Sequence, residues 1–196
     1  MRRLGVMVLG IVLTAVALAA PAGAILPPVD GYYTFNQPGV PSANWELQSI
    51  CIQPNGTRAQ ADYTDETIQT LGCTVLVTAS TPSLVTREEK LVNFSGRARL
   101  TSGLWTFQVE QPEGLTCPDG SYAARTETFA FTAPDPNGPP NLTGTRTSVN
   151  AAACGVPAAV TKTPFTLTFN DVLDPGVIAR FPAICNYLAG RPSICS

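Results

Sequence analysis

Trp105, Phe107 and Val109 alternate with Thr106, Gln108 and Glu110. In an extended chain this places every apolar side chain on one face and every polar one on the other. Period-two alternation of this kind recurs along the sequence, while long helical periodicity is scarce, and nothing else narrows the accessible folds as far. Phe129 and Phe131 alternate with Thr128, Ala130 and Thr132, and Phe165, Leu167 and Phe169 alternate with Thr166 and Thr168. Trp45, Leu47 and Cys51 share one face, and so do Cys73, Val75 and Val77. The faces that carry Cys51 and Cys73 both look inward, which is compatible with their pairing. Arg97 and Arg99 share a solvent face. Weaker strand signals cover Tyr32–Phe35, Thr57–Tyr63 and Thr143–Val149.

The interruptions have identifiable causes. Ser102-Gly103 lies between two alternating segments and is a hairpin signal, since glycine takes the positive φ of a tight turn. Pro118-Asp-Gly120 reads as a turn. The run from Pro134 to Pro140 cannot continue a sheet, because proline lacks the donor. Asp65 can cap one helical turn, Glu88-Glu-Lys90 reads as a solvated loop, and Asp174-Pro-Gly176 opens a short C-terminal helix running toward Leu188. About eight or nine short strands at this spacing predict an all-β fold. The expected form is a small antiparallel barrel in mostly up-and-down order, with a β-sandwich as the alternative.

The first residues are of another kind. Arg2 and Arg3 precede an apolar run from Leu4 to Ala20, and Pro21-Ala-Gly-Ala24 follows. A positive n-region, an h-region and an Ala-x-Ala site make residues 1–24 a secretory signal peptide. No cysteine lies at the cleavage point to carry a lipid. The expected product is residues 25–196, a single secreted domain with a cysteine-containing tail at 173–196, and without stable membrane insertion after cleavage. Loss of Arg2 and Arg3 moves the formal net charge from −2 to −4. A mildly acidic chain with scattered charges has no footprint for nucleic acid.

Export changes the meaning of Cys51, Cys73, Cys117, Cys154, Cys185 and Cys195, all beyond the leader. An even count in an exported chain reads as three disulfides. Spacing leaves the connectivity open, and sequence order suggests Cys51–Cys73, Cys117–Cys154 and Cys185–Cys195. A metal site is a poor alternative, because the chain has no C-x-x-C pair and no histidine. The missing histidine also removes Ser–His and Cys–His nucleophile pairs and the usual proton shuttle near neutral pH. No phosphate-binding loop or dinucleotide fingerprint is present. The expectation is therefore no cofactor, no metal and no catalytic constellation. Paired carboxylates are the surviving route to an enzyme, since glycoside hydrolysis needs only two across a cleft. The candidates are Asp62, Asp65, Glu66, Glu110, Glu113, Asp119 and Glu127, read as surface and turn residues.

Trp45, Trp105, Phe107, Phe129 and Phe131 are the candidate ligand-binding residues. Inward-facing aromatics build β cores, but an eight-stranded barrel can also hold one apolar small molecule. Asn55, Asn93 and Asn141 match the N-glycosylation pattern; behind this Ala/Val/Leu-rich leader they are expected to stay unmodified.

Asp30-Gly-Tyr-Tyr33, Trp45 ahead of Cys51, Gly96-Arg-Ala98, Gly103-Leu-Trp105, Cys117-Pro-Asp-Gly120 and Cys154-Gly155 before Pro164-Phe-Thr-Leu167 follow one another in order. In this the chain resembles a group of small exported mycobacterial disulfide-containing β proteins of uncharacterised function. The resemblance spans most of Tyr32 to Phe169 and implies export and four paired cysteines. It implies no activity and no catalytic residues. The functional expectation is a non-enzymatic module of the cell envelope or medium that binds an apolar small molecule or an envelope component. A carboxylate hydrolase acting on envelope glycans and a structural or host-interaction surface protein are the alternatives. Oligomeric state is left open.

Overall fold

In the computed structural model, residues 27–52, 58–59, 73–132 and 138–174 are described. They form β1 Gly31–Asn36, β2 Ala43–Ile52, β3 Arg58–Ala59, β4 Thr74–Ser80, β5 Phe94–Thr101, β6 Leu104–Thr116, β7 Tyr122–Phe131, β8 Leu142–Asn150 and β9 Ala159–Val172. The lateral order is β1-β9-β8-β7-β6-β5-β4-β2-β3, and β1 also pairs with β2. That pairing closes eight strands into an antiparallel barrel, with the short β3 attached to β2 beside the ring. The barrel, and not the sandwich, is the architecture. Its order is up-and-down apart from the step over β3. Closure removes free sheet edges, which an open eight-stranded sheet would leave unpaired.

Alternation decides which side chains enter. Tyr33, Trp45, Val77, Trp105, Phe107, Phe129, Phe131, Leu142 and Leu167 are all buried in one apolar cluster. A fully buried aromatic removes roughly 150–250 Å² from water, worth at most about 4–6 kcal/mol on an area basis. Eight strands leave an interior just wide enough for side chains to fill. Glycine makes room for the largest of them. A Cβ on Gly96 would overlap the Phe107 ring, and one on Gly144 would overlap Phe165 and the Ala130 carbonyl.

At the β5–β6 turn, Ser102 and Gly103 both have positive φ, 51° and 82°. That is the twist a two-residue hairpin demands. Gly120 closes the predicted turn after Cys117, donating to the Cys117 carbonyl at 3.0 Å. Strand Gly31–Asn36 extends the weak signal at Tyr32–Phe35, and Leu142–Asn150 that at Thr143–Val149.

One segment departs from expectation. Glu88-Glu-Lys90 is exposed to solvent but lies inside a short helix, α1, Arg87–Leu91. Thr86 caps it: its hydroxyl accepts from the Glu89 amide, and the Glu89 carboxylate accepts from the Thr86 amide. This reciprocal box satisfies two end donors at once. Apolar periodicity cannot reveal such a helix, because none of its residues is buried.

The β6–β7 and β8–β9 connections are tied together by the Cys117–Cys154 disulfide, with Cα atoms 5.7 Å apart. This is one of the expected pairs. Cys154 and Gly155 form a tight turn with φ of 44° and 80°, flanked by reciprocal Ala153–Val156 hydrogen bonds. Cys73 is also disulfide-bonded. The leader, the Asp65 turn, the C-terminal helix, and Cys185 and Cys195 lie outside the described residues.

Candidate functional site

Trp45 is the hub of the interior. Its ring stacks on Phe35 at 5.1 Å between centroids and 1° between planes. Phe94, Phe107, Phe129 and Phe165 surround it at 5.5–5.8 Å. Phe107 and Phe129 stack on each other at 5.0 Å. The five aromatic candidates thus all face inward, at 4% exposure or less. Rings at this spacing are in van der Waals contact and fill the middle of the barrel with one another. The Trp45 indole N–H is buried there without an acceptor.

Below this layer the wall changes from apolar to ionic. Glu127 shares the inward parity of Phe129 and Phe131, and is fully buried. Ser148 lies directly across from it on β8, and Arg146 lies across from Phe129. Register therefore brings two partners from β8 to one carboxylate, and parity along β7 adds a third. Arg146 donates from Nε to Oε2 and from Nη2 to Oε1, both at 2.8 Å. Ser148 Oγ donates to Oε2 at 2.5 Å. Arg125, two residues back on the same face, sets its Nε 2.6 Å from Oε1. The Arg146 guanidinium also lies 5.6 Å from the Phe129 ring centroid. Burial alone would raise the Glu127 pKa. The Arg146 and Ser148 hydrogen bonds and the two guanidinium charges outweigh it, so the pKa is lowered and the carboxylate stays ionised. A carboxylate held this way is a structural anchor and not a proton donor near neutral pH.

The β1–β2 turn lies at the same end of the barrel as the disulfide-tied β6–β7 and β8–β9 connections. Asn36, Gln37, Pro38, Ser42, Pro164 and Thr166 surround Phe165 in a recess of about 400 Å³ at the β1–β2 turn. Pro164 and Phe165 give it apolar surface, and Asn36, Ser42 and Thr166 give it amide and hydroxyl groups. Gln37 keeps its Oε1 buried with no donor.

Among the described residues the carboxylate candidates do not converge. Glu110 and Glu113 are exposed on β6, and Asp119 is exposed in a turn, where it accepts from the Ser121 amide and hydroxyl. Asp62, Asp65 and Glu66 lie outside the described residues. Glu127 is the exception to the reading of these groups as surface residues: it is buried because its parity points inward, a signal already present beside Phe129. Among the described residues no group of three His, Cys, Asp or Glu side chains could hold a metal ion. The Asn93 amide nitrogen donates to the Thr81 hydroxyl and the Glu89 carbonyl, both at 2.6 Å.

No protein-family model and no curated protein matches the sequence. Among solved structures, the monomer form of the M. tuberculosis PknI sensor domain is similar at 17% identity and a TM-score of 0.45. The match covers 76% of this chain and 92% of that one. No activity or ligand is carried across at this degree of likeness.

Proposed function

We propose that the chain is an exported, non-enzymatic binding module of the cell envelope or medium, a disulfide-clasped barrel that meets its ligand at its mouth or outer wall. The observation that carries this reading is the division of labour within the barrel. The aromatic layer and the Glu127 cluster are occupied with each other, while the mouth recess offers amide, hydroxyl and apolar surface to solvent. The Cys117–Cys154 bridge supports an oxidising destination. An apolar ligand, on this reading, seats on Pro164 and the outer edge of Phe165 at the β1–β2 turn. Glu127, the one buried carboxylate among the described residues, is neutralised by two arginines, which favours binding over carboxylate catalysis.

Native mass spectrometry of the mature protein from its own host tests this. A non-covalent adduct that weakens with Gln37→Ala and Pro164→Ala is the expected result. A uniformly empty protein, with no partner recovered by crosslinking at the mouth or wall, would remove the reading.

A further inference from the structure

The structure assigns a second binding site to the outer wall across β9, β1, β2 and β4, and its chemistry points to a sugar chain. This deepens the binding-module reading and rests on it. Tyr32, Asn44, Glu46, Thr78, Ser80 and Asn170 line a recess of about 270 Å³ there. The volume lies just below the roughly 300–1,000 Å³ typical of small-molecule sites, enough for part of a chain and not for a large cofactor.

Register builds this recess. Glu46 lies across from Tyr32 on one side and Thr78 on the other, and Asn44 lies between Thr34 and Ser80. All of these have the outward parity, so two adjacent rows of polar side chains cross three strands. A bulge completes the site. Tyr32 pairs with Asp171 and Tyr33 with Phe169, which leaves Asn170 as the extra residue. Bulges re-aim side chains, and here Asn170 turns outward, where its Nδ2 donates to Thr34 Oγ1 at 2.9 Å. That bond fixes the amide at the edge of the recess.

The donor and acceptor set matches a sugar. A pyranose or furanose presents hydroxyls that both donate and accept, beside an apolar C–H face. Asn44 supplies a planar amide with both capacities, Thr78 and Ser80 supply hydroxyls, and Tyr32 supplies a ring with a polar tip. Elsewhere on the wall polar neighbours bond each other, as Gln108 does with Thr128 at 3.2 Å. Among the described residues Asn44, Thr78 and Ser80 make no side-chain hydrogen bond, so their capacity is open to a ligand.

The test is a ¹⁵N-edited NMR titration of the mature protein with gluco-, manno-, galacto- and arabino-oligosaccharides of several units, monitored in parallel for release of reducing ends. At least one is expected to shift the amides of Tyr32, Asn44, Thr78, Ser80 and Asn170. Asn44→Ala, at an exposed position that leaves the core intact, should weaken that binding roughly tenfold, and Tyr32→Ala at least as much. Absence of shifts with every oligosaccharide, or shifts confined to the mouth recess, overturns the sugar assignment. An adduct seen in the native mass spectrum would then still uphold the module. Wall binding accompanied by released reducing ends upholds the sugar site and overturns the non-enzymatic reading instead.

Discussion

Glu127 carries its charge with no exposed surface, and three side chains justify it. The sign of its pH dependence follows. Its pKa is lowered in the folded state, so its contribution is complete above the unfolded value of about 4.3 and is lost as pH falls through the folded one. Stability to denaturant should therefore fall as pH drops below about 4, and Glu127→Gln should flatten that slope. At neutral pH the same substitution should cost about 3–5 kcal/mol, because it leaves Arg146 buried with its charge uncompensated. Urea melts across the acid range measure both effects. Gln48 predicts the opposite sign. It is 1% exposed, and among the described residues neither amide atom has a hydrogen-bond partner. Gln48→Met keeps the length and removes the unsatisfied amide, so the urea midpoint should rise, by about 1–3 kcal/mol in stability. Gly96→Ala should lower stability by roughly 1–3 kcal/mol, since the Phe107 ring that it displaces is locked against Phe129.

Elements with a strong alternating pattern were legible in the sequence, and the reason is parity. Phe129 and Phe131 identify the inner face of β7, and the same counting places Glu127 there, although its charge disguises it. α1 was illegible to periodicity, because a five-residue exposed helix has no buried face, yet Thr86 and Glu89 carried the capping-box spacing. Glu89→Ala should destabilise α1 by about 1 kcal/mol or less, read as faster amide exchange in residues 87–91. Hairpin tips behave differently. The Cys117–Cys154 bridge joins two of them across a sequence separation of 37, and the loop-entropy model assigns it about 4 kcal/mol. The Cys117→Ala/Cys154→Ala pair should lose about that much in denaturant melts, with amide protection falling first at the two tips. The outer-wall recess was invisible to the sequence, because it depends on a one-residue bulge at Asn170 and on strands far apart in the chain.

For the whole molecule, the barrel and the inward aromatic set were expected from the sequence, whereas the registers that close it were not. Alternation places Tyr33 and Trp45 on inner faces without saying that they face each other. The β1–β2 and β1–β9 registers supply that, pairing Tyr33 with Trp45 on one side and Phe169 on the other. The same registers bear on the cysteines. The β2–β4 ladder ends at Ile50 opposite Thr74, next to the disulfide-bonded Cys73. Unfolded, non-reduced mature protein should accordingly show no titratable thiol, and two or more would overturn three bridges. The central claim is a closed barrel whose interior is filled by its own rings, so that ligands meet its mouth and wall. A high-resolution crystal structure of the mature protein purified from its own host, without refolding, tests it most directly. The account predicts β1 hydrogen-bonded to both β2 and β9, with Trp45 in ring contact with Phe35, Phe107 and Phe129. Density for a bound molecule among those rings, or a gap between β1 and β2, would contradict it.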